Sequence, residues 1–181
     1  MQRVPAVFLD KDGTVVEDVP YNVDPARLRF TRGAIDGLRL VAEHGFPLVL
    51  VSNQSGIARG YFDAAALMRL QTHLERMLLA GGVRLAGFYF CPHGPQADCT
   101  CRKPAPGLLH EAAAALGIDL ARSWMIGDRG SDVEAGRRAG CRTVQLGAGG
   151  PGGEDALGSS VPDFRCADLL EAARHVIGTA A

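Results

Sequence analysis

Short apolar runs alternate along the chain with longer stretches in which apolar positions recur every three or four residues. The runs Val4–Leu9, Phe46–Ser52, Leu85–Phe90, Ser123–Ile126 and Thr143–Leu146 are bounded by Gly, Pro or polar residues and read as strands. Ile35–His44 and Ala64–Leu79 read as helices; in the second, Leu67, Leu70, Leu74, Met77 and Leu78 fall on one face. Pro106–Leu116 opens on Pro and is closed by Gly117, the usual asymmetry of helix ends. Ser131–Ala139, closed by Gly140, and Ala167–Ile177 complete the predicted helices. Gly147–Gly153 reads as a surface loop and not as a domain linker.

Strands alternating with helices predict an α/β fold, a three-layer sandwich around a mostly parallel sheet. The chain has 181 residues, 47% of them hydrophobic, so a single domain over 1–181 is expected. In such sheets ligands bind beyond the carboxyl ends of the strands. The polar clusters follow the strands directly: Asp10 after the first, Ser52-Asn53-Gln54 after the second, Cys91-Pro92-His93 after the third, Gly127-Asp128 after the fourth.

Composition narrows the classes. A net charge of −1 argues against nucleic acid as the partner. The longest apolar runs, such as Phe46–Val51, fall far short of the roughly 20 residues that span a bilayer. The N-terminal run ends in Asp10 and lacks a signal-peptide pattern, so a cytoplasmic protein is expected, with no membrane partner.

One Asp at a strand end is most often a cap or a turn former. Here an apolar strand ends in Asp10-Lys11-Asp12-Gly13-Thr14, and a second carboxylate pair, Asp128 and Asp132, follows another strand. Carboxylates gathered in this way call for a hard cation, and Mg²⁺ takes one or two of them plus phosphate and water. An aspartate can attack phosphorus, dividing one hard displacement into two easier ones. A neighbouring acid, Asp12, can protonate the leaving alkoxide and then activate water. Ser52, Thr14, backbone N–H groups and Lys103 can balance charge on the transferring oxygens.

Cys91, His93, Cys99 and Cys101 supply three thiolates and one imidazole, a complete tetrahedral set for structural Zn²⁺. In a reducing compartment such a cluster reads as a metal site and not as disulfides. The isolated Cys141 and Cys166 read as small buried hydrophobes. His44, His73, His110 and His175 fall on predicted helices and are read as surface or helix-end residues.

Asp10-Lys11-Asp12-Gly13-Thr14, Ser52-Asn53, Lys103 and Gly127-Asp128-x-x-x-Asp132 resemble, in order and spacing, the four motifs of the haloacid dehalogenase superfamily of phosphatases. Ser52 to Gly60, and Cys91-Pro92-His93 through Cys99-x-Cys101-Arg102-Lys103-Pro104, resemble the branch that holds heptose-bisphosphate and histidinol-phosphate phosphatases, the heptose side more closely. The resemblance implies a Rossmann-like sheet with short loops and no large cap domain. It implies Asp10 as nucleophile, Asp12 as proton donor, and Mg²⁺ on Asp10, the Asp12 backbone carbonyl and Asp128, with Asp132 behind them. Ser52 and Lys103 would steady the transferring phosphoryl group. Asp18, Val19, Pro20, Tyr21, Asn53, Gln54, Ser55, Arg102 and Arg129 would contact the rest of a small sugar bisphosphate. The alternative substrates are histidinol phosphate and other small sugar phosphates; a monomer is expected.

Overall fold

The computed structural model describes residues 3–147 and 161–179. Most of the predicted Gly147–Gly153 loop lies outside them. Among the described residues, β1 (Val7–Leu9), β2 (Leu48–Asn53), β3 (Gly87–Cys91), β4 (Trp124–Gly127), β5 (Arg142–Leu146) and β6 (Phe164–Cys166) form one sheet in the order β3-β2-β1-β4-β5-β6. Every pairing is parallel. The order reverses between β1 and β4, and crevices for ligands open at such reversals.

Both faces of the sheet are covered, and this explains why its strands read as continuous apolar runs. Val7 and Leu9 pack to one side with α1 (Ala34–Glu43), α2 (Ala64–Ala80) and α5 (Leu169–Gly178). Phe8 packs to the other side with α3 (Gly107–Leu116) and α4 (Gly130–Ala139). Asp63 caps α2 by accepting from the Ala66 N–H at 2.7 Å, and Asp168 caps α5 by accepting from the Glu171 N–H at 3.0 Å. No helix of the described residues is long and apolar enough to cross a membrane.

Differences from the sequence reading have local causes. β1 starts at Val7 and not Val4, because Pro5 has no N–H to give and Ala6 donates to Ser123 Oγ at 2.9 Å. The edge strand β6 was not expected; it is three residues long. It carries Phe164 to His175, whose rings stack with centroids 3.7 Å apart, while Trp124 meets the imidazole edge-on at 5.5 Å. His175 lies in the last turn of α5, as the helix-end reading has it, and is packed between two aromatic rings.

Candidate active site

β1 delivers Asp10 to the floor of a cavity of about 340 Å³ beyond the carboxyl ends of the strands. Asp12 enters from the same turn, and Ser52, Asn53, Gln54 and Ser55 from the end of β2. Arg102 and Lys103 enter from the segment before α3, and Arg129 from the start of α4. Asp18, Val19, Pro20 and Tyr21 complete the wall. Asn22, Gly56, Ser131 and Asp132 line it as well. Asp132, expected behind the metal ligands, and Ser131, which was not singled out, are brought in by the first turn of α4; for Ser131 its position after Gly127-Asp128 was the signal available.

Lys103 is 2% exposed, and its ammonium lies 2.5 Å from Asp10 Oδ1 and 2.6 Å from Asp132 Oδ1. It also donates to the Val51 carbonyl at 3.0 Å. Burial works against this charge, but Asp10 and Asp132 outweigh it and hold the ammonium above its ordinary pKa. Burial likewise pushes the Asp10 carboxyl well up; Lys103 opposes this, while Asp132, Asp128 and Asp12 add to it. Asp128 is raised to about 6, first by burial and then by Asp132.

Asp132 is matched twice, by Lys103 and by the Arg129 N–H at 3.0 Å. One oxygen each from Asp10, Asp128 and Asp132 lies within 4.8 Å of the others, a donor set that suits a hard cation. Gly13 makes this approach possible. Its φ is +86°, and a β-carbon there would collide with the Asp128 carboxylate. Thr14, read among the hydroxyls available to phosphate, is wholly buried and instead faces Asp128 Oδ1 at 3.4 Å.

Asp12 is held from two sides. Lys11 Nζ lies 2.7 Å from its Oδ1, and Gln54 Nε2 donates to its Oδ2 at 2.9 Å. Gln54 also donates to Ser52 Oγ at 2.8 Å, so one amide ties the end of β2 to the β1 turn. Asn53 is committed to Lys103. Its Nδ2 donates to the Lys103 carbonyl at 3.1 Å, and its Oδ1 accepts from the Lys103 N–H at 3.0 Å. Arg129 Nη2 donates to Asp18 Oδ2 at 2.9 Å, and Arg102 Nη1 to the His93 carbonyl at 3.3 Å.

The cysteine loop stands next to this wall. Donor atoms of Cys91, His93, Cys99 and Cys101 all lie within 4.8 Å of one another. Cys91 Sγ is 3.0 Å from Cys101 Sγ and 3.8 Å from Cys99 Sγ, and His93 Nδ1 is 3.3 Å from Cys101 Sγ. A tetrahedron with metal–sulfur bonds of about 2.3 Å has sulfur–sulfur edges of about 3.8 Å; the Cys91–Cys99 separation matches that edge, and Cys91 and Cys101 would have to part from 3.0 Å for the four donors to surround one ion. Without an ion, burial raises the thiols of Cys91 and Cys101. Burial opposes the Cys99 thiolate too, but the Arg102 N–H and the neighbouring thiols outweigh it and lower that pKa.

Residues 100–172 match the family described as HAD-hydrolase-like. The chain is similar to the D-glycero-beta-D-manno-heptose-1,7-bisphosphate 7-phosphatase of Yersinia pestis, 45% identical over 152 residues that cover 80% of this chain and 81% of the relative. The protein of that name from Escherichia coli K12 is 43% identical over 152 residues, covering 80% of each. The crystal structure of D,D-heptose 1,7-bisphosphate phosphatase from B. bronchiseptica, complexed with magnesium and phosphate, shares the fold with a TM-score of 0.85. It is 30% identical and covers 98% of this chain and 100% of that one.

Proposed function

The chain belongs to the D-glycero-beta-D-manno-heptose-1,7-bisphosphate 7-phosphatase family of haloacid-dehalogenase-type hydrolases, and from that membership we propose that it removes the C7 phosphate of heptose 1,7-bisphosphate through a phosphorylated Asp10. The observation that carries this reading is the convergence of Asp10, Asp12, Ser52 and Lys103 on one cavity, with Arg102 and Arg129 in its wall. The product is heptose 1-phosphate. The relatives are named for the β anomer, and the same anomer is assigned here.

Asp10 attacks phosphorus, and Asp12 gives a proton to the departing sugar oxygen. Asp12 then takes a proton from the water that hydrolyses the aspartyl phosphate. Lys103 opposes the burial that disfavours an ionised Asp10, and with Ser52 it holds the oxygens of the moving phosphoryl group. Lys11 and Gln54 aim Asp12. Arg102 and Arg129 supply cations for the phosphate that is not removed, since Arg grips phosphate in two-point fashion. Asp18, Val19, Pro20, Tyr21, Asn53, Gln54 and Ser55 shape the space for the sugar.

Mg²⁺ would be held by Asp10, the Asp12 backbone carbonyl and Asp128, and when bound it neutralises charge on the phosphoryl oxygens. Asp132, already paired with Lys103 and the Arg129 N–H, serves to position Lys103. Zn²⁺ in Cys91, His93, Cys99 and Cys101 would be structural, since four filled positions leave none open. It would pin the loop that sets Arg102 and Lys103. Free thiols in such a cluster suit a reducing, cytoplasmic setting, and the enzyme is assigned as a single-domain monomer without nucleic-acid or membrane partners.

Phosphate release from both anomers of heptose 1,7-bisphosphate and from histidinol phosphate, assayed side by side, tests this. The β bisphosphate is expected to show the highest kcat/KM. Faster turnover of histidinol phosphate would overturn the substrate assignment and leave the chemistry standing.

A further inference from the structure

Two loops meet at the mouth of the cavity. Tyr21 belongs to the segment after the β1 turn, lines the cavity and is 42% exposed. Its φ is 55°, in the left-handed region that residues with a β-carbon rarely enter. Tyr61, from the loop between β2 and α2, is 61% exposed and lies outside the cavity wall. The two rings meet edge to face, with centroids 4.7 Å apart and planes at 71°. The Arg59 guanidinium stands 5.9 Å from the Tyr21 ring centroid. At the other end of the same segment, Asp18 pairs with Arg129.

Residues 18–22 therefore form a strap tied on both sides of the mouth. A charge pair holds it to the first turn of α4, and an aromatic pair holds it to the β2–α2 loop. Neither ring is buried enough for the pair to serve the core, yet the contact runs between two segments that no strand or helix joins. Edge-to-face packing gives it a defined geometry. An aromatic contact of this kind fixes the backbone of a segment that has few other ties. One is the Asn22 N–H to the Val19 carbonyl at 3.1 Å; another is the Asp24 N–H to Asn22 Oδ1 at 2.9 Å.

We propose that Tyr61 is a positioning residue: by gripping Tyr21 it holds the strap over the part of the substrate remote from the transferred phosphate. The proposal rests on the phosphatase reading above. A phosphate seated on Asp10, at the cavity floor, leaves the remainder of a sugar bisphosphate at the strap. Acetyl phosphate, with only two carbons, ends short of it.

Tyr61→Ala is expected to raise KM for heptose bisphosphate roughly fivefold, within the range an aromatic pair carries, with kcat changed by less than about twofold. On acetyl phosphate the variant should behave as wild type. Tyr61→Phe keeps the ring and should restore the wild-type KM. Amide hydrogen exchange at Asn22 and Asp24, measured without substrate, should quicken in Tyr61→Ala only. Wild-type KM and wild-type exchange in Tyr61→Ala overturn the proposal, and so does an equal loss on both substrates. A wild-type enzyme that leaves the sugar bisphosphate intact refutes the phosphatase reading instead; the exchange rates then decide the strap by themselves.

Discussion

The ammonium of Lys103 lies 2.5 Å from Asp10 Oδ1, although 93 positions separate the two residues in the chain. Burial and three neighbouring acids push the Asp10 carboxyl toward its neutral form, and Lys103 is the cation that opposes them. Lys103→Met removes the charge at similar volume. It leaves Asp10 and Asp132 without their shared partner, which should cost on the order of 3 kcal/mol of stability. Loss of a charge donor to the phosphoryl oxygens should lower kcat by at least about a hundredfold. Thermal unfolding and steady-state kinetics check both.

Asn53 reaches that lysine through its backbone. Two reciprocal hydrogen bonds, at 3.0 and 3.1 Å, join the Asn53 amide to the Lys103 N–H and carbonyl. Asn53→Ala should cost about 1–2 kcal/mol and lower kcat by about tenfold while KM moves less, because what shifts is the lysine at the reacting group. An effect confined to KM would instead mark Asn53 as a direct substrate contact.

Gly13→Ala tests the approach of Asp128. A β-carbon at that residue meets the Asp128 carboxylate, and the backbone there has φ of +86°. The variant should require at least about tenfold more Mg²⁺ for half-maximal activity, since one of the assigned ligands must move. Activity titrated against Mg²⁺ reads this out.

Thiol reactivity should sort the cysteines into two groups. Burial pushes Cys141 up to about 12 and Cys166 up to about 11. A raised thiol pKa means less thiolate at a given pH, so at pH 8 both should resist iodoacetamide until the protein unfolds. Cys91, Cys99 and Cys101 should be protected while Zn²⁺ is bound and be alkylated after chelation, Cys99 first, since its pKa is lowered. Mass spectrometry of peptides, with and without a chelator, separates the groups. Metal analysis should find about one zinc per chain.

The strand–helix alternation and the acid-bearing strand ends were legible because a parallel sheet, covered on both faces, writes its strands as uninterrupted apolar runs. β6 was not legible: three residues carry little periodicity, although Phe164-Arg165-Cys166 does alternate. Of the residues at the cavity, Asp10, Ser52, Asn53 and Gln54 were legible from their places after the strands, whereas Asp18 to Tyr21, Ser55, Arg102 and Arg129 were expected only from the family resemblance, and Asn22, Gly56 and Ser131 were not singled out. What the sequence could not convey was who holds whom. Lys11 is 2% exposed and pairs with its own neighbour Asp12; Thr14 turns to Asp128; Asn53 grips a backbone 50 positions away. Each of these is a side-chain direction, and those of Thr14 and Asn53 are set by packing between segments that are distant in the chain. The Arg129–Asp18 pair across the mouth is of the same kind.

The most direct measurement follows heptose 1,7-bisphosphate by phosphorus NMR with wild-type enzyme and with Asp10→Asn. In the wild type the C7 phosphate resonance is expected to be replaced by inorganic phosphate while the C1 phosphate remains. Asp10→Asn is expected to be folded, zinc-loaded and inactive. Turnover retained by Asp10→Asn, or release of the C1 phosphate first, would contradict Asp10 as the nucleophile of a 7-phosphatase.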